Sequence, residues 1–110
     1  MKRQFRILKH QEFDRLIRSG KPLKSPHYSI YYEPNQGQAR IGIAVSKKNG
    51  GAVQRVKIKR QIRAMIAGGY DLNTSVNLII VVRPSYDTGA YQSEQEELLT
   101  SLGHIKEPQN

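Results

Sequence analysis

The stretch SKKNGGAVQRVKIKRQIRAMI, residues 46–66, holds Lys47, Lys48, Arg55, Lys57, Lys59, Arg60 and Arg63, and no carboxylate occurs between Ser46 and Gly69. Like charges this close repel one another and cost folding free energy unless an anion lies against them. The chemistry open to such a cluster is phosphate binding: Arg presents a fork of N–H donors to phosphate oxygens, and Lys adds a point charge. A solvated helix face normally mixes Glu with Lys at i, i+4 spacing, and here no Glu is present. Arg55 and Lys57 also fall in the first turns of the expected helix, where the dipole disfavours cations by some tenths of a kcal/mol. A segment that gives up stability on both counts reads as a phosphate-binding surface rather than a solvated face.

The loop SKKNGG strengthens this reading, because glycines allow close backbone approach and N–H groups at a helix start bind anions. It is neither a Walker A loop, whose GxxxxGK[ST] spacing is absent, nor the GXXG of a KH domain. Other chemistry finds little support. Without cysteine there are no disulfides, thiolate metal sites or thiol nucleophiles. His10, His27 and His104 are far apart in sequence, and no paired-carboxylate, metal-spacing or nucleophile pattern emerges. The expectation is a chain with no catalytic residue, no metal site and no small-molecule substrate of its own.

The whole chain agrees. It has 110 residues and a formal charge of +9, from 18 Lys+Arg against 9 Asp+Glu. A charge of this size on so small a chain attracts polyanions, nucleic acid first and an anionic membrane surface second. No apolar run approaches the roughly 20 residues of a membrane span. The basic N-terminus lacks the apolar run of a secretory signal, and the lack of cysteine is compatible with the cytoplasm. The length fits a single RNA-binding domain, residues 1–110.

The elements that must position these groups follow from periodicity. The arm 1–9 carries Lys2, Arg3, Arg6 and Lys9; then Phe13, Leu16 and Ile17 at i, i+3, i+4 predict a short helix ending at Gly20. KPLKSP is an extended linker. HYSIYYE alternates, with Tyr28, Ile30 and Tyr32 on one face and His27, Ser29 and Tyr31 on the other. ARIGIAV alternates again, and the two strands are expected to pair as an antiparallel hairpin. A helix over 52–67, stopped by Gly68-Gly69, turns Ile58, Ile62, Met65 and Ile66 to the core. Lys57, Lys59, Arg60 and Arg63 lie on its other side, and Arg55 sits at the core edge. That apolar sector is needed for the core, which argues against a membrane-surface helix. VNLIIVV reads as a strand buried on both faces. The last helix carries Leu98, Leu99 and Leu102 for the core. Ser93 and Glu96 form a potential capping box, with Asp87 or Thr88 as earlier caps, and its acidic cluster Glu94, Glu96 and Glu97 is expected to face away from RNA. The order α-β-β-α-β-α gives an α+β fold, an α/β sandwich of one sheet with three helices.

IGIAVSKKNGGAVQRVKIKRQIRAMI resembles the signature of the bacterial ribonuclease P protein subunit: a strand ending Val-Ser-Lys-Lys, a Gly-rich turn, Ala-Val, then Arg-Asn-Arg-x-Lys-Arg-x-x-Arg. Ser46, Lys47, Lys48, Gly50, Ala52, Val53, Arg55, Lys59, Arg60 and Arg63 match. Val56 and Lys57 depart from the Asn and second Arg, and Ile17 stands where the family often has Phe. FRILKHQEFDRLIRSG and LIIVVRP fall in the expected places, so the resemblance covers nearly the whole chain. It implies a mixed, four-stranded type of sheet and a left-handed β-α-β crossover through the basic helix. It also implies a Mg2+-dependent catalytic RNA as partner, bound through the loop and basic helix. Precursor tRNA would be the second partner, its 5′ leader lying in a cleft lined by Phe13, Ile17, Tyr31 and Arg63. For Phe13, core packing is an equal reading; Tyr31 shares its expected face with His27 and Ser29. The alternative class is a ribosomal or other structural RNA-binding protein, which would need no such single-strand cleft.

Overall fold

The computed structural model describes residues 3–7, 9–20 and 22–105; Lys2 of the basic arm and Lys21 of the linker lie outside them. Three helices, α1 (His10–Ser19), α2 (Ala52–Gly69) and α3 (Tyr91–Gly103), pack on one sheet of β1 (Leu23–Lys24), β2 (Tyr28–Pro34), β3 (Arg40–Val45) and β4 (Val76–Val82). The sheet order is β1-β2-β4-β3. β4 runs antiparallel to β2 and parallel to β3.

The expected hairpin does not form: β4 lies between its two strands. The reason is in the residues of β4. Leu78 and Ile80 are buried on one face and Ile79 on the other, and only a central strand covered on both sides satisfies a run of this kind. One face holds Tyr28, Ile30, Ile41, Leu78 and Ile80 against Ile58, Ile62, Met65 and Ile66 of α2 and Leu98 and Leu102 of α3. The other gathers Ile7, Leu16 and Ile79, with Phe13, Tyr31 and Val81 against them. The linker also contributes more than expected: Leu23 and Lys24 pair with Ile30 and Ser29 as a short edge strand.

Two bidentate ion pairs tie α1 to the sheet. Arg15 donates to Glu33 at 2.8 and 2.6 Å, and Arg40 to Glu12 at 2.6 and 3.2 Å. The Arg15 hydrogen bonds hold the Glu33 carboxyl down at about 2, against the opposing effect of burial. The N-terminal segment runs along the free edge of β3, where Ile7 N–H donates to the Ile41 carbonyl at 3.0 Å.

Three boundaries move. α2 extends through Gly68 and Gly69, because Leu99 of α3 packs where a Gly69 side chain would stand, 2.5 Å from its Cβ position; packing outweighs the weak helix propensity of glycine. α3 starts at Tyr91, and neither the Ser93–Glu96 box nor a side-chain cap forms. Instead Glu94 Oε2 accepts the Asp87 N–H at 2.8 Å, while Asp87 Oδ1 accepts the Gly89 N–H at 2.8 Å. Finally, β2 begins at Tyr28. His27 leaves the Tyr31 face, its N–H and ring both turned to Glu97 of α3.

Candidate nucleic-acid interface

The strand β3 delivers the chain to a 3-10 turn, Lys47–Asn49, which leads into α2. Gly50 adopts φ +125°, a conformation side chains disfavour, and Asn49 Nδ2 pins the turn to the Arg83 carbonyl at 2.9 Å. No side chain caps α2, so the first N–H groups of the helix stand beside Lys47 and Lys48, both exposed. An unsatisfied helix start of this kind favours an anion.

The core stripe lies where 100° spacing places it: Ile58, Ile62, Met65 and Ile66 are at most 1% exposed. Arg55 is half-buried at the edge of that stripe, and its Nε is buried with no hydrogen-bond partner among the described residues. Lys57 and Arg60 are exposed; Lys59 and Arg63 are half-buried. Among the described residues none of the seven cations is in an ion pair with a carboxylate. The carboxylates Glu12, Glu33, Glu94 and Glu97 are engaged elsewhere, with Arg40, Arg15 and His27. The cations of α2 thus lack the internal neutralisation that Arg15 and Arg40 receive.

Three depressions run along α2 and share walls. The first, about 660 Å³, is lined by Ala52, Val53, Val56, Lys57, Arg60 and Gln61. The second, about 360 Å³, shares Val56 and Arg60 with it and adds Arg6, Arg63 and Ala64. The third, about 210 Å³, shares Arg6 and Arg63 with the second, takes Lys59, and is floored by Ile7, Phe13, Ile41, Gly42 and Ile43. Together they make a cationic track leading from the start of α2 to the α1 side of the sheet. Burial, and secondarily the charge of Arg6, lowers the pKa of Arg63; a polyanion beside the Arg63 guanidinium would favour its charged form.

Of the four residues of the expected leader cleft, Phe13 and Arg63 line one depression. Tyr31 shares the Leu16–Ile79 cluster with Phe13 but is not among the residues lining the Arg63 cleft, and neither is Ile17, which is 36% exposed on α1. Across the sheet Tyr31 pairs with Ile79 and Ile79 with Gly42, and the Phe13 ring lies over Gly42: a Cβ there would stand 2.4 Å from its Cε2. Gly42→Ala is expected to push that ring out of its seat at the roughly 1–3 kcal/mol typical of overpacking; a urea-denaturation midpoint equal to that of the parent would refute it.

Two features were not foreseen. Val53 and Val56 are 87% and 55% exposed, and their i, i+3 spacing outside the core sector was a readable signal. The trio His27, Glu94 and Glu97 meets across the fold, where sequence spacing gave none. The expected acidic cluster divides accordingly: Glu96 is exposed, while Glu94 is buried and Glu97 half-buried.

A family model described as Ribonuclease P matches residues 1–106. The chain belongs to the ribonuclease P protein family. Among curated members, the ribonuclease P protein component of Bacillus pumilus is 34% identical over 108 residues, covering 96% of this chain and 87% of that one. The Enterococcus faecalis component is 31% identical, with 96% and 88% covered. A solved structure of the Staphylococcus aureus RNase P protein superposes with a TM-score of 0.76 at 30% identity, covering 94% of this chain and 96% of that one. The Thermotoga maritima protein, at 23% identity and TM-score 0.76 with 92% and 97% covered, shares the fold. The α+β sheet with three helices is thus the family's architecture, and membership makes the chain a component of a ribonuclease. Among the described residues no helix is long and apolar enough to cross a membrane.

Proposed function

We propose that residues 1–110 act as one RNA-binding domain serving a catalytic RNA in the cytoplasm. Lys47, Lys48, Arg55, Lys57, Lys59, Arg60 and Arg63 bind the phosphates of that RNA, and the α1–sheet cleft takes the 5′ leader of precursor tRNA as the RNA removes it. The observation that carries this reading is the track along α2: Lys57, Lys59, Arg60 and Arg63, in no carboxylate ion pair among the described residues, lead to a cleft floored by Phe13. Single-strand readers combine a positive groove with aromatic platforms in this way. In this reading the RNA holds the Mg2+ it needs; the described residues lining the track offer phosphates cations and no carboxylate. The chain's part is electrostatic and positional: it neutralises phosphates and holds the leader still.

The test is reconstitution. Purified chain freed of RNA should cleave nothing, and added to the catalytic RNA it should enhance Mg2+-dependent processing of precursor tRNA. Specific cleavage by the RNA-free chain would overturn the reading. A structural, ribosomal-type role is the other outcome, and sequencing the RNA that copurifies with the chain separates the two.

A further inference from the structure

Where α3 meets the bend before β2, ligand-type side chains converge that take no part in the basic track. His27 Nδ1 lies 2.5 Å from Glu97 Oε1 and 3.0 Å from Glu94 Oε1. The second oxygen of each carboxylate is already held. Glu97 Oε2 accepts the Ser25 hydroxyl at 2.6 Å and the His27 N–H at 2.8 Å, and Glu94 Oε2 accepts the Asp87 N–H at 2.8 Å. Both Oε1 atoms are thereby fixed toward one imidazole nitrogen. That nitrogen carries at most one proton, and its hydrogen bond is to Glu97. Glu94 is 1% exposed, and its Oε1 takes part in no hydrogen bond among the described residues. A buried carboxylate oxygen aimed into such a cluster without a donor is an exception that calls for a cause, and two carboxylates facing one imidazole leave net negative charge in a poorly solvated place.

We propose that His27, Glu94 and Glu97 form a site for a divalent transition-metal ion of the Zn2+ class, which clamps α3 to the start of β2. The three ligand atoms lie within 4.8 Å of one another, close enough for small side-chain rotations to bring them to the roughly 2.0–2.2 Å of Zn–N and Zn–O bonds. One imidazole and two carboxylates leave a fourth position for water. Ser25 and the two backbone N–H groups orient the carboxylates as second partners of a metal ligand do. His27 and Glu97, with side chains 30% and 19% exposed, leave a way in, and Glu94 at 2% is the floor. Mg2+ prefers six oxygens and sheds water reluctantly, so the imidazole selects against it.

The experiment uses the full chain, stripped with EDTA and titrated with ZnCl2 by calorimetry near pH 7. One ion per chain should bind. At a hundredfold excess over Kd it should raise Tm by on the order of 10 °C. Glu97→Gln keeps an acceptor for Ser25 and the His27 N–H but loses the anionic ligand, and should weaken binding at least about tenfold; His27→Asn should abolish it. Circular dichroism checks that each variant is folded. Absence of stoichiometric binding overturns the proposal and leaves the trio an ion pair. An equal Tm rise in both variants overturns it too, placing the ion elsewhere, for example at the exposed His10–Asp14 pair.

Discussion

Arg60→Ala is expected to weaken binding of the catalytic RNA by roughly 1.5–3 kcal/mol, the value of a charge-assisted hydrogen bond, or about 10- to 150-fold. Arg60 is the residue of choice because it is exposed and lines both the first and second depressions along α2. The loss should come with a flatter salt dependence, by somewhat under one unit in the log–log slope for each phosphate contact removed. Stability should not fall with it. Among the described residues the guanidinium has no carboxylate partner, so its removal relieves repulsion and leaves Tm unchanged or slightly raised. Binding and stability therefore move independently, which an ordinary structural arginine would not allow. Lys59→Ala serves as the companion, since Lys59 lines the Phe13 cleft. Unchanged salt slopes in both variants would return α2 to the role of a solvated face.

How far the sequence reached depended on the range of the interactions. The stripe Ile58, Ile62, Met65 and Ile66 is a local periodicity, and it lies buried as spacing requires. The run Val76–Val82 told by its composition alone that it needed cover on both faces, and it has it. What it could not tell was which strands flank it. Strands adjacent in sequence favour pairing as a hairpin, whereas satisfying both faces of β4 requires inserting it between them. The resemblance supplied that order only indirectly, through a crossover by way of the basic helix. The same limit governs His27. Alternation put it beside Ser29 and Tyr31, but Glu94 and Glu97, some seventy positions away in sequence, turn it toward α3. The caps of α3 failed for a related reason: the helix already begins at Tyr91, which puts Ser93 inside it, and the Asp87 carboxylate accepts the Gly89 N–H rather than capping the helix. Charge was the most legible feature, because an absence of carboxylates over a whole segment needs no tertiary information to be noticed.

With His27 turned to α3, Tyr31 stands apart from it on the sheet. His27 gives Tyr31 no polar neighbour on its face, and Tyr31 is itself partly buried against the Leu16–Ile79 cluster. Its remaining face is the test. Tyr31→Ala is expected to weaken binding of precursor tRNA with a 5′ leader by roughly 1–3 kcal/mol, the worth of one base-stacking platform, and to leave mature tRNA nearly untouched, because the mature product has no leader to stack. Alanine also vacates space beside Leu16, so some loss of Tm is expected with it. Tyr31→Leu separates the two effects. A leucine keeps apolar contact with Leu16 and Ile79 but offers no flat π face. It should restore most of the stability while the leader-dependent loss persists. If Tyr31→Leu instead recovers full leader affinity, or if both RNAs lose affinity equally, Tyr31 is a packing residue and the leader platform rests on Phe13 alone. The register supports the first outcome. Tyr31, Ile79 and Gly42 form one row across the sheet, with the Phe13 ring over its far end, so a base stacked on Tyr31 would lie on the same face that carries Phe13 to Lys59 and Arg63.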